Sequence, residues 1–275
     1  TIRGAHDPMI DVHAHAFPDF LAERAMTSLA ADSGDYTPCS DGTLAGLASS
    51  MDASGVELSW IANIATKPAQ AGAILEWSRS VSSERFVFLG SVHPESPVFE
   101  EEIYAFREAG FAGLKLHPLY QRFNVDDSSL APFFRAIQES GMFVLLHSGY
   151  DIAFAGADNA HPRRMRKLVD RFPDLDIIAA HLGGWLAWED ALEQLAGSPC
   201  YFDTSFIDEA DPAVRDAIIE RCGAERILFG SDSPWKDQRK QIEAVRSIGL
   251  SAAQESLVFS GNARALMQKH SRASR

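Results

Sequence analysis

Cysteine is scarce in this chain. Only Cys39, Cys200 and Cys222 occur, none in a C-x-x-C pair and not in even number. A disulfide framework is therefore not expected, and a reducing, cytoplasmic setting is. No run of 18 apolar residues is present, so no membrane-spanning helix is expected. Residues 1–8 are polar, with neither an apolar signal region nor an initiator Met. They read as an N-terminal extension, and residues 9–275 as one domain. Positive charge is also in deficit: 25 Lys and Arg stand against 38 Asp and Glu, a net charge of −13. Such a surface repels phosphate backbones, so nucleic acid is not an expected partner. The densest basic stretch is Arg163, Arg164, Arg166, Lys167 and Arg171, which has the spacing of a solvated helix face. Gly-rich phosphate loops, nucleophile elbows and dinucleotide fingerprints are missing; "HLGGW" lacks the G-x-G-x-x-G spacing.

What the 275 residues do contain is alternation. Short apolar runs, bounded by Gly, Pro, Asp or Ser, fall at 9–12, 56–65, 86–89, 112–117, 142–147, 176–181, 200–203 and 227–232. Each has the length and composition of a buried strand. Amphipathic segments lie between them, at 68–82, 97–109, 129–140, 162–172, 185–196, 212–222 and 236–248. Most stop at a Gly or Pro. Eight strand–helix units in one chain of this length predict a (β/α)8 TIM barrel. Two departures stand out. The stretch after strand one is long enough for two helices, 21–30 and 43–54, with a loop at 32–41 between them. The tail, 251–267, adds one or two helices after strand eight.

The chemistry-bearing residues cluster at the ends of these runs. Strand one leads into His13-Ala14-His15, strand four carries Lys115 and His117, and strands five, six and eight end with His147, His181 and Asp232. A strand has a side-chain period of two, so His13 and His15 share a face. In a parallel barrel the strand ends converge on one mouth. A single His at a strand end is more commonly packed or hydrogen-bonded than a ligand, and His6, His161 and His270 read that way. Several imidazoles and a carboxylate buried together without a partner would be costly. The ensemble therefore points to a divalent ion, with zinc best suited to these donors.

The segments "IDVHAHAFP", "GFAGLKLHP", "VLLHSG", "IIAAHLGG" and "ILFGSDSPW" together resemble the amidohydrolase superfamily. The resemblance is to the amidohydrolase-related branch that includes aminocarboxymuconate-semialdehyde decarboxylase, and it runs from about Met9 to Asn262. It implies His13, His15, His147 and Asp232 as metal ligands. It gives His181 a role toward substrate or the activated water, or toward a second metal. One ion is implied, or two if a carboxylated Lys115 bridges them; otherwise Lys115 binds a substrate carboxylate or pairs with an acid.

Further residues near the mouth have open readings. His117 shares a face with Lys115 and is available to bind substrate. Asp203 is available to orient His181 or substrate, or to cap the segment that follows. Trp185, Trp188 and Trp235 are available to wall a pocket, Phe17 to close it, and His93 to shape a turn. The leading functional reading is hydrolysis at a carbonyl-type centre of a small molecule, an amide, lactone or related compound, and an anionic substrate is compatible with the site. The ion activates water, Asp232 takes its proton, and His181 steadies the developing oxyanion or shuttles protons. Two alternatives stand beside it: non-oxidative decarboxylation of an aromatic or muconate-type acid at the same site, and an inactive metal-binding barrel. Strand one reads H-x-H rather than E-x-H, which tilts toward the hydrolase. A homodimer is compatible with the acidic surface and the tail helices.

Overall fold

A computed structural model describes residues 8–271. Residues 1–7 of the expected N-terminal extension, including His6, lie outside the described residues. The strands are β1 (Met9–Ala14), β2 (Val56–Ala62), β3 (Phe86–Leu89), β4 (Gly113–Leu116), β5 (Phe143–Leu146), β6 (Ile177–Ala179), β7 (Tyr201–Asp203) and β8 (Ile227–Leu228). Every consecutive pairing is parallel, in two arcs, β1 to β3 and β4 to β8. Backbone hydrogen bonds join the arcs at both seams. Gly90 donates to Gly113 and Lys115 to Gly90; Val12 donates to Phe229 and Asp232 to His13. The result is the TIM barrel expected from the alternation.

The side-chain period sorts the core into two layers. Phe143 and Leu145 face inward with Val12, Trp60 and Ile178, while Val144 and Leu146 face the outer helices. Burying each large apolar side chain contributes about 1.5–3 kcal/mol. Helices α1 (Asp19–Ala31) and α2 (Leu44–Ser54) fill the long excursion after β1. The outer ring is then α3 (Ala71–Ser80), α4 (Phe99–Glu108), α5 (Ala131–Ser140), α6 (Pro162–Arg171), α7 (Trp188–Gln194), α8 (Pro212–Cys222) and α9 (Gln238–Arg246). The local signals act as expected. Pro162 and Pro212 occupy first-turn positions, Thr43 caps α2, and Gly141 ends α5 in the left-handed conformation. The tail forms α10 (Ala252–Ser256), a π-helical turn (Leu257–Gly261) and α11 (Asn262–Ser271). Ala263 and Leu266 of α11 pack with the inner layer, opposite the mouth.

The basic stretch on α6 is paired rather than free. Arg164 and Lys167 reach Asp126, Arg163 and Arg164 reach Asp158, and Arg166 reaches Asp170. Cys39, Cys200 and Cys222 are free thiols. No helix among the described residues is long and apolar enough to cross a membrane.

Candidate active site

Strand alternation alone does not deliver the histidines to the mouth. In β1, Ile10 and Val12 face inward, so a regular strand would turn His13 outward. Pairing with β2 steps from Asp11↔Ser59 to Ala14↔Ile61, three residues against two. This bulge shifts the parity. Ala14 joins the outer layer beside Ile61, and His13 and His15 turn inward. A second device acts after β6. Ile178 and Ala180 face inward there, and the backbone then turns left-handed at His181 (φ 57°) and Leu182 (φ 51°). Asp232 also holds a positive φ, 62°. The sequence places His181 and Asp232 at the ends of their strands. The structure puts both beyond those ends, in sparsely populated backbone of the kind that functional sites retain.

Asp232 Oδ1 lies 2.9 Å from His15 Nε2 and 3.5 Å from His13 Nε2. The three ligand atoms stand within 4.8 Å of one another. Oδ1 is buried, yet the angles leave it without a directed hydrogen bond. Ligands about 2.0–2.1 Å from a shared ion stand about 3 Å apart and aim at the ion rather than at each other. The donor set therefore fits a divalent cation. A further sign is Lys115, whose ammonium lies 2.9 Å from His13 Nε2 and brings a positive charge to the same place.

Behind these groups is a set of supporting contacts. His13 Nδ1 donates to Asp203 Oδ2 at 2.8 Å, leaving the lone pair on Nε2, toward Lys115 and Asp232. Asp203 Oδ1 accepts from the backbone N–H of His181 and of Ser205, and from the Ser205 hydroxyl. Ser205 Oγ also lies 2.8 Å from His181 Nδ1. Both Asp203 oxygens are thus engaged, so it orients His13 and the His181 backbone rather than offering a free acceptor to substrate. Gly230 lets this wall close up, since a Cβ there would meet His13 and Asp203 at 3.0–3.1 Å. Asp11 fastens β1 to the loop after β8. It accepts from the Ser231 backbone and hydroxyl, the His13 N–H and Gln238.

His147 is placed differently from the other implied ligands. Its Nε2 donates to the Tyr150 carbonyl at 3.0 Å, and its Nδ1 lies 3.0 Å from His181 Nε2. Its ring stacks on His117 at 4.0 Å. With His117 and Asp151 it forms a separate group of ligand atoms. His117 accordingly sits at the mouth, beneath Tyr120.

Burial governs the charges. It lowers the pKa of Lys115 to about 8 and of His181 to about 4, and holds His15, His117 and His147 below the usual histidine value. Burial opposes the charge of Asp232 as well. The imidazoles of His13, His15 and His181 outweigh it and keep the carboxylate ionised.

Of the remaining expectations, Trp185 walls the site 6.0 Å from His181 and 4.5 Å from Phe206. Trp188 instead donates to the His181 carbonyl from the start of α7. His93 accepts from the Glu95 N–H and so shapes its turn. His161 caps α6, and His270 packs under the barrel against Asp176 and Gly141. Phe17 pairs its backbone with Gly42 in the excursion after β1. Ser205, Phe206, Tyr36, Glu209 and Asp151 were not singled out by the sequence. The one available signal was Ser205, two residues beyond Asp203 and so on the same face.

The amidohydrolase family model matches residues 10–268. No curated protein matches the sequence. Among solved structures, an uncharacterized TIM-barrel protein of Bordetella bronchiseptica is 18% identical, covering 97% of this chain and 100% of its own, with a TM-score of 0.77. The 5-carboxyvanillate decarboxylase of Sphingomonas paucimobilis is 19% identical over 95% of this chain and 99% of its own, with a TM-score of 0.68. A Pseudomonas putida protein assigned as a 2-pyrone-4,6-dicarboxylic acid hydrolase is also 19% identical. It covers 95% of this chain and 98% of its own, with a TM-score of 0.66. At these identities the likeness speaks to fold.

Proposed function

The chain belongs to the amidohydrolase family, and from that premise we propose that it is a metal-dependent hydrolase. Its substrate is a small, anionic molecule, cleaved at a carbonyl-type centre such as an amide or lactone. One observation carries the reading: the buried, undirected Asp232 Oδ1 stands at ligand distance from His13 and His15. These three would hold a divalent ion, zinc by the character of the donors. His147 would be recruited from its contacts with Tyr150 and His181. When bound, the ion supplies Lewis-acid polarisation and makes water more acidic.

The chain's own groups do the rest. Asp232 takes the proton of the attacking water. Asp232 then returns that proton to the leaving group, beside His181, which is neutral above about pH 4 and whose Nδ1 stands 4.0 Å from Asp232 Oδ2. Water adds to the carbonyl carbon, the bond to the leaving nitrogen or oxygen breaks, and the proton ends on the leaving atom. Lys115 holds a substrate carboxylate, with His117 and Trp185 at the rim. The solved hydrolase of similar fold acts, by its assignment, on a dicarboxylic pyrone, in keeping with an anionic lactone here. The three free thiols support a cytoplasmic setting.

A second reading has its own support. Lys115 is 1% exposed and burial lowers its pKa to about 8, so its ammonium suits donation of a proton to the carbon from which CO2 departs. The metal-replete protein, assayed on lactones, amides and aromatic carboxylates, should release acid from a lactone or amide without releasing CO2. Chelation should abolish turnover, and metal should restore it. Released CO2 would replace the hydrolase with the decarboxylase, and turnover indifferent to chelation would remove both.

A further inference from the structure

Four loops at the mouth of the barrel meet on one carboxylate. Glu209 ends the 3-10 turn Ile207–Glu209 that follows β7. Its Oε2 accepts from the Tyr36 hydroxyl at 2.8 Å and from the Trp185 indole N–H at 3.2 Å; its Oε1 pairs with Lys236 at 2.7 Å. Tyr36 belongs to the strap between α1 and α2, Trp185 follows β6, and Lys236 follows β8. The Glu209 side chain is only 24% exposed, so charged-acceptor bonds here are shielded from water.

Of the two rings it fixes, Trp185 faces His181 and Tyr36 packs against Trp185. Tyr36 stands edge-on to Trp185 and to Phe206, each at 5.6 Å. Phe206 presents its ring to His181 at 5.5 Å from left-handed backbone (φ 60°). The Lys236 ammonium covers the Phe206 ring at 4.8 Å. Lys236 has a second acid, Asp208, at 2.8 Å, so its own neutralisation does not depend on Glu209. What depends on Glu209 is the tyrosine hydroxyl and the indole N–H. The neighbours of Tyr36 along the strap, Gly34, Asp35 and Thr37, are exposed. The strap's further backbone tie to this face is Cys39 N–H to the Pro234 carbonyl, at 2.7 Å.

We propose that Glu209 is a positioning residue: it latches the strap of residues 32–43 over the mouth and sets the Trp185 wall against His181. Substrate enters when the latch lets go, and binds against the wall that the latch has placed. The inference rests on reading the mouth as an active site, but the latch itself is measurable without turnover.

The test uses the full chain and two variants, Glu209→Gln and Tyr36→Phe. Hydrogen exchange of peptides spanning 32–43 should quicken about tenfold in each, while β5 peptides and metal stoichiometry stay at wild-type values. With a substrate found by the assays above, KM should rise about tenfold or more, with kcat within about threefold. Asp232→Asn should instead lose kcat. Unchanged strap exchange in both variants overturns the latch, as does a loss confined to kcat. If Glu209→Gln does not fold, Tyr36→Phe, which removes one hydroxyl, decides alone. If wild type binds no metal and turns over no substrate, the functional reading fails, and hydrogen exchange still decides the latch.

Discussion

His13 Nδ1 and Asp203 Oδ2, 190 residues apart in the chain, lie 2.8 Å apart between β1 and β7. Both side chains are buried, and the carboxylate fixes the imidazole in the tautomer whose Nε2 faces Asp232 and Lys115. A histidine held this way is a pre-oriented ligand. Asp203→Asn is expected to weaken metal affinity about 10–100-fold while the protein stays folded. Competition with a chelator of known affinity measures it; affinity within twofold of wild type would refute the orienting role.

Lys115 should carry substrate charge rather than metal. Wild type and Lys115→Met are both expected to bind one ion per chain by elemental analysis. The variant should raise KM for an anionic substrate at least about tenfold, the size of a lost charge-assisted bond. A fall from two ions to one would make Lys115 a metal bridge instead.

Asp176 anchors the tail helix α11 beneath the barrel by accepting from His270 and Lys269. Burial raises its pKa, but those two partners outweigh burial and depress it below 3.8. A depressed carboxylate stabilises the fold above the unfolded value, and that stability is lost as pH falls through the folded pKa. Asp176→Asn should therefore cost about 1–2 kcal/mol at pH 7 in urea unfolding, and the gap should shrink as pH falls below 3.8 toward the folded pKa. A gap that stays constant from pH 7 down to acid unfolding would contradict the linkage.

Gly149 turns at φ 99° directly against the backbone of Trp185, where a Cβ would meet N and O at 2.3 Å. Gly149→Ala combines strained backbone with a collision that no side-chain rotation relieves. It should destabilise the protein by about 1–3 kcal/mol or more and shift tryptophan emission as Trp185 moves. Wild-type stability and emission together would show that this junction yields freely.

The strand-forming runs, the Gly and Pro stops between them and the order of strand-end ligands are local properties. The period of two and helix punctuation made the barrel legible, and the family resemblance grouped His13, His15, His147 and Asp232, of which the structure brings His13, His15 and Asp232 together and sets His147 beside His117 and Asp151. His181 was legible as a residue type at a strand end, but not the left-handed turn that redirects it. The bulge that turns His13 inward was also hidden, since it arises from how β1 pairs with β2. The partition of the histidines was out of reach for the same reason. His147 pairs with His181 and stacks on His117, because ring orientation depends on neighbours 30 or more residues away. Glu209 shows the limit most sharply. As a sequence position it is one acid among 38 Asp and Glu; only the closure of the barrel brings a tyrosine, a tryptophan and a lysine from three other loops onto its carboxylate.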